Sequence, residues 1–71
     1  MKATIGQRIR ELREAKNLKQ MQLSKKLGIA QTTLSSWERG RSEPHVEAII
    51  GLAKFFKVPL EYLMGVTDDY F

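Results

Sequence analysis

Gln31, Thr32, Ser35, Ser36 and Arg39 follow one another at intervals that place side chains on one face of an α-helix. A Gln amide offers a donor and an acceptor side by side, and Ser and Thr hydroxyls do either. Such a face suits the reading of a donor–acceptor pattern better than proton transfer or metal binding. Base-pair edges in the major groove of DNA carry a pattern of this kind. Gln pairs bidentately with adenine N6 and N7, Ser and Thr meet either type of group, and a Thr methyl can touch the thymine methyl. On an isolated helix the same residues would be an ordinary polar surface, so the neighbouring residues must decide.

Catalytic readings lack their parts. His45 is the only histidine and there is no cysteine, so a His-based triad, a His metal cluster and a thiolate site cannot be assembled. Asp68 and Asp69 adjoin each other with no base or ligand pattern beside them, and read as a solvated, DNA-repelling tail. The chain is expected to be no enzyme and to need no metal or cofactor.

Charge is segregated. Residues 1–41 hold ten Lys and Arg against three acidic residues, a net of +7, whereas residues 42–71 hold two against five, a net of −3. A basic segment of this kind calls for a polyanion, either nucleic acid or an anionic membrane, or is a solvated helix surface. No apolar run reaches the ~20 residues that span a bilayer, and the start has no apolar stretch of a signal peptide. A cytoplasmic protein with no membrane association is expected.

Five helices are predicted to position these residues, with no strand, giving an all-α domain over 1–65 and a short acidic, aromatic tail over 66–71. The first covers about Thr4 to Lys16, with Ile5, Ile9 and Leu12 at helical spacing, and Asn17 ends it. The second covers Gln20 to Leu27, with Leu23 and Leu27 turned inward and Gly28 as its stop. The third, Gln31 to Arg39, starts almost at once and ends at Gly40. Two short helices with so brief a connection must cross steeply, as in a helix-turn-helix. On a wheel, the polar face of the third helix opposes Thr33, Leu34 and Trp37. Small Ser24 lets the third helix approach, and Ile29 fills the underside of the turn. Pro44 opens a fourth helix, His45 to Phe56, with a stripe through Val46, Ile49, Ile50 and Ala53, extended by Leu52 and Phe56. Val58-Pro59 breaks it, and a last helix runs from Pro59 to Met64.

The segment QMQLSKKLGIAQTTLSSWER, residues 20–39, resembles the helix-turn-helix of the lambdoid phage repressor and Cro family, also called the xenobiotic-response-element family. The resemblance extends from about Ile5 to Gly65 through Leu27-Gly28-Ile29, Trp37-Glu38-Arg39-Gly40, Pro44, Leu52-Ala53 and Val58-Pro59-Leu60. It implies a compact five-helix domain that binds double-stranded DNA, commonly as a homodimer on an inverted repeat, and regulates transcription, most simply as a repressor. Residue by residue, it implies base contacts from Gln31, Thr32, Ser36 and Ser35. Phosphate contacts are implied for Gln20, Arg39, Arg41, Ser42 and His45, with Lys19 within reach of another. Arg13 and Glu38 match a structural salt bridge. The chain departs from the family pattern at Lys19, Ala30 and His45, which stand where capping residues are usual; loss of a cap typically costs about 0.5–2 kcal/mol.

Phe55, Tyr62, Tyr70 and Phe71 exceed what the core stripe requires, so some of them are expected to be exposed. Either a symmetric dimer contact through the fifth helix and tail, reaching Ile50 and Phe55, or packing of the tail on the domain accounts for them. A rival function is an antitoxin-like module that binds a protein partner as well as DNA. RNA binding is the weaker reading, since no exposed aromatic platform for single strands is evident.

Overall fold

A computed structural model describes residues 4–66 of the chain. It contains five helices: α1 Ile5–Ala15, α2 Gln20–Leu27, α3 Gln31–Glu38, α4 Val46–Phe56 and α5 Leu60–Leu63. The expected all-α architecture and element order are found. Thr4, Lys16, Arg39, His45 and Pro59, expected inside helices, serve as caps. Only α1 among the described helices has a full reciprocal cap. The Gln7 N–H donates to Thr4 Oγ1 at 3.1 Å, and the Thr4 N–H donates to Gln7 Oε1 at 2.8 Å.

All five helices end alike. Just past each C-terminus an N–H bonds back five residues, as from Leu18 to Arg13, Arg41 to Ser36 and Val58 to Ala53, which satisfies otherwise orphaned carbonyls. This turn requires one left-handed residue. Gly40 supplies it after α3 with φ 76°, whereas after α1 and α4 it is Asn17 and Lys57, at φ 57° and 58°. Lys57 was not foreseen as a stop, because a lysine in this region carries a steric penalty that Asn and Gly reduce or lack.

α1 and α2 both pack on α3, and α4 and α1 pack on α5. The core comprises Ile9, Leu23, Leu34, Trp37, Leu52, Ala53, Phe56, Val58, Tyr62 and Leu63. Leu12, Leu27, Ile29 and Ile49 are partly buried against it. Ser24 is buried, with its hydroxyl donating to the Met21 carbonyl at 2.9 Å.

Four placements differ from expectation. Val46 is 68% exposed and Ile50 39% exposed. The face of α4 that meets the body is centred on Leu52, Ala53 and Phe56, and at 100° per residue both side chains fall on its flank, about 70° and 110° away. Thr33 is exposed for the same reason, displaced around the wheel from Leu34 and Trp37. Tyr62 is not a spare aromatic: it is buried, and the Arg8 guanidinium lies 4.2 Å from its ring centroid, a favourable cation–ring contact between α1 and α5. Phe55 is half-buried, edge-on to Phe56. Tyr70, Phe71, Asp68 and Asp69, with the tail contacts expected of them, lie outside the described residues. Among the described residues no helix is long and apolar enough to cross a membrane.

Candidate nucleic-acid interface

α3 is anchored by its apolar side and by its C-terminal end. Leu34 is fully buried and Trp37 nearly so. At the end, Arg13 Nε and Nη2 donate to the two carboxylate oxygens of Glu38 at 2.8 and 3.0 Å, and Nη1 donates to the Leu18 carbonyl at 2.7 Å. Gln20 Nε2 donates to Glu38 Oε1 at 3.0 Å. One carboxylate thus ties α3 to the end of α1, and to the start of α2. The bidentate geometry is the strong form of this pair. The hydrogen bond that Arg13 donates to Glu38 raises the pKa of Arg13 against the opposing effect of desolvation, so the guanidinium stays charged at every physiological pH and this pair adds no pH dependence from the arginine side.

The Glu38 side chain is only 3% exposed and that of Arg13 11%. Breaking such a pair leaves a desolvated charge behind, which costs more than the pair contributes. Arg13→Met is expected to lower stability by about 2–3 kcal/mol, below the fully buried limit because the clamp lies at the edge of the core. In urea titrations the double variant Arg13→Met/Glu38→Leu should recover a large part of that loss. Additive losses would contradict the assignment of a coupled ion pair.

The opposite side of α3 is open. Gln31, Thr32, Arg39, Arg41, Ser42 and His45 are exposed, and Ser35 and Ser36 are half-exposed. Thr32, Ser35, Ser36, Arg39 and Arg41 line a shallow concavity of about 240 Å³. The turn after α3 directs the chain back alongside it, through the Arg41 N–H to Ser36 carbonyl bond of 3.0 Å. There Ser36 Oγ and Ser42 Oγ lie 2.8 Å apart, either able to donate. At the far end Ala30 provides no side-chain cap, so first-turn N–H groups of α3 have no side-chain partner from that residue.

Gln20 departs most from its expected placement. It is half-buried with its amide turned to Glu38, leaving one amide hydrogen and the backbone N–H groups at the start of α2 for an outside acceptor. Lys19 is exposed and its own N–H donates to Gln22 Oε1 at 2.8 Å. His45 makes no side-chain cap. The structure therefore brings the α3 face, Arg39, Arg41 and Ser42 together, and places Lys19 and Gln20 at the start of α2. Gly6, where α1 passes close to the backbone of Trp37 and Glu38, and the Ser36–Ser42 contact have no signal in the sequence that singles them out. A Thr-x-x-Gln capping signature at residues 4–7 was legible there, but not the close approach one residue into that helix.

A family model described as helix-turn-helix matches residues 9–63. The chain belongs to the helix-turn-helix family. Among helix-turn-helix relatives, it is 36% identical over 63 residues to an uncharacterized HTH-type transcriptional regulator, YobD of Bacillus subtilis, covering 89% of this chain and 56% of YobD. The chain thus spans about half the length of that relative, and 28% of repressor protein C2 of Salmonella phage P22. The crystal structure of the P22 c2 repressor with a synthetic operator superposes with a TM-score of 0.80 at 32% identity, covering 87% of this chain and 94% of that one. The structure of SinR, the master regulator for biofilm formation, in complex with DNA gives a TM-score of 0.77 at 31% identity, covering 84% and 97%. SinR is a protein of Bacillus subtilis. These likenesses agree with the expected lambdoid repressor fold.

Proposed function

We propose that this chain is the sequence-reading domain of a transcriptional regulator, most simply a repressor, which inserts α3 into the major groove of double-stranded DNA. The observation that carries the reading is the exposed amide-and-hydroxyl face of α3, rimmed by Arg39 and Arg41 and held from behind by a buried clamp. An α-helix fits the ~12 Å width of the major groove. Solved structures of similar chains are complexes with an operator or with DNA. Gln31, Thr32, Ser35 and Ser36 then meet base edges, while Lys19, Gln20, Arg39, Arg41, Ser42 and His45 meet the backbone. The activity is binding, without covalent chemistry.

A site that spans two successive major grooves calls for two copies. The longest dimension of the domain is 28 Å, less than the ~34 Å between successive major grooves on one side of the duplex. A homodimer on an inverted repeat is the assembly we propose, supported by the exposed flank of Ile50, Val46 and Met64, which offers it apolar surface.

Selection of bound sequences from random DNA, followed by binding titrations across salt concentrations, tests the reading. Gln31→Ala is expected to lose about 1–3 kcal/mol of discrimination at one base pair. Arg41→Ala should weaken all sequences alike and reduce the salt slope by about one. Equal losses on selected and random DNA from both variants would contradict this division between base and phosphate contacts.

A further inference from the structure

We propose that Ser42 sets the base preference of Ser36 by fixing the direction of its hydroxyl proton, so that Ser36 selects an amino-bearing base, adenine or cytosine, at the position it reaches. This inference rests on the DNA-binding reading above and goes beyond it. A serine on a recognition helix normally discriminates poorly, because its hydroxyl rotates to donate or accept. Here the Ser36 and Ser42 oxygens are 2.8 Å apart, close enough to share one proton, and the pair by itself has no preferred donor.

DNA removes that ambiguity. Ser42 is exposed beside Arg41, just past the end of α3, at the rim of the face that enters the groove. The group it meets there is a phosphate oxygen, which accepts and cannot donate. Ser42 must give its single proton to the phosphate, leaving its lone pairs to accept from Ser36. The Ser36 proton is then committed to Ser42, and only lone pairs face the base. In the major groove adenine N6 and cytosine N4 present hydrogens to such lone pairs, whereas guanine O6 and N7 and thymine O4 present further lone pairs. A contact that carries no sequence information is thereby coupled to one that does. Ser42 acts as a positioning residue for Ser36.

The full chain and three variants, Ser36→Ala, Ser42→Ala and Ser42→Thr, are compared by selection from random DNA and then by affinity for probes carrying each base at the position that Ser36→Ala alters. The unaltered chain is expected to favour A or C there by about five- to tenfold over G and T, the lower end of the cost of a single mismatch. Ser42→Ala should reduce that ratio to within about twofold of unity while preferences at other positions persist, and Ser42→Thr, which keeps the hydroxyl, should restore it. Thermal midpoints should be unchanged, since Ser42 is exposed. A Ser42→Ala variant that weakens every probe alike and keeps the A/C preference overturns the proposal, leaving Ser42 a phosphate contact only. So does a preference for G or T, or a Ser36→Ala variant that alters no position. Selection of no sequence by the unaltered chain is a different failure, because it refutes the DNA-reading function itself.

Discussion

Trp37→Ala is expected to lower the thermal midpoint of the domain by on the order of 20 °C and to abolish DNA binding under conditions where the variant unfolds. Trp37 is the largest side chain on the inner face of α3 and is 5% exposed. It belongs to the buried core and borders, with Leu27, Ile29, Ala48 and Leu52, a small cavity of about 140 Å³. Truncating a buried Trp to Ala costs about 3–5 kcal/mol through lost transfer energy and the void left behind. A chain of this length has a total stability of only about 4–11 kcal/mol at 0.05–0.15 kcal/mol per residue, and in so small a domain each 1 kcal/mol moves the midpoint by about 4–8 °C. Circular dichroism melts measure the shift directly. Trp37→Phe, which retains a ring, should lose much less. A melt of Trp37→Ala within a few degrees of the unaltered chain would mean that the indole does not hold α3 to the body.

Gly6→Ala is the second large effect, and its sign is the reverse of the usual one. Within a helix, alanine is ordinarily favoured over glycine by roughly 0.5–1 kcal/mol. At Gly6, however, α1 passes so close to the end of α3 that an added Cβ would overlap the Trp37 carbonyl oxygen. It would also lie 2.9 Å from the Trp37 carbonyl carbon and 3.2 Å from Glu38 Cα. All these atoms are backbone, so no side chain can rotate away, and relief requires α1 and α3 to separate. Overpacking typically costs about 1–3 kcal/mol, occasionally more, and a backbone obstruction belongs at the upper end, about 3 kcal/mol or beyond. Gly51 is the internal control. It is also helical, but a Cβ there meets nothing within 4 Å, so Gly51→Ala should stabilise by roughly 0.5–1 kcal/mol. Urea unfolding followed by fluorescence of the single tryptophan, Trp37, reads both variants. The same sign for the two substitutions would refute the close approach.

Gly6 and Gly51 also mark where sequence reasoning reaches its limit. Both are glycines inside helical patterns, and nothing in their neighbours distinguishes the one that α3 touches from the one that faces open space. Val46 and Ile50 teach the same lesson in a different way. The apolar period of α4 is legible in the sequence, but periodicity gives the orientation of a stripe relative to itself, not how far the packed body extends beneath it. Tyr62 looked surplus only because Arg8, on which it stacks, is 54 positions away in sequence.

The sequence alone determined what acts within one or two helical turns: five helices, their order, most of their stops, and the separation of α3 into an apolar side and an amide-hydroxyl side. Hydrophobic period, steric freedom at Asn17, Gly28 and Gly40, and the break at Val58-Pro59 are local properties that a chain carries before it folds. Tertiary structure alone decided what depends on where two helices come to lie. It turned Gln20 inward to join the pair of Arg13 and Glu38, residues 25 apart in sequence. It brought α1 against α3 at Gly6, and it set the Ser42 hydroxyl beside that of Ser36. The physical reason is range: propensity and capping act through neighbouring backbone, whereas these contacts arise from helix crossing and from distances of a few ångströms that no spacing encodes.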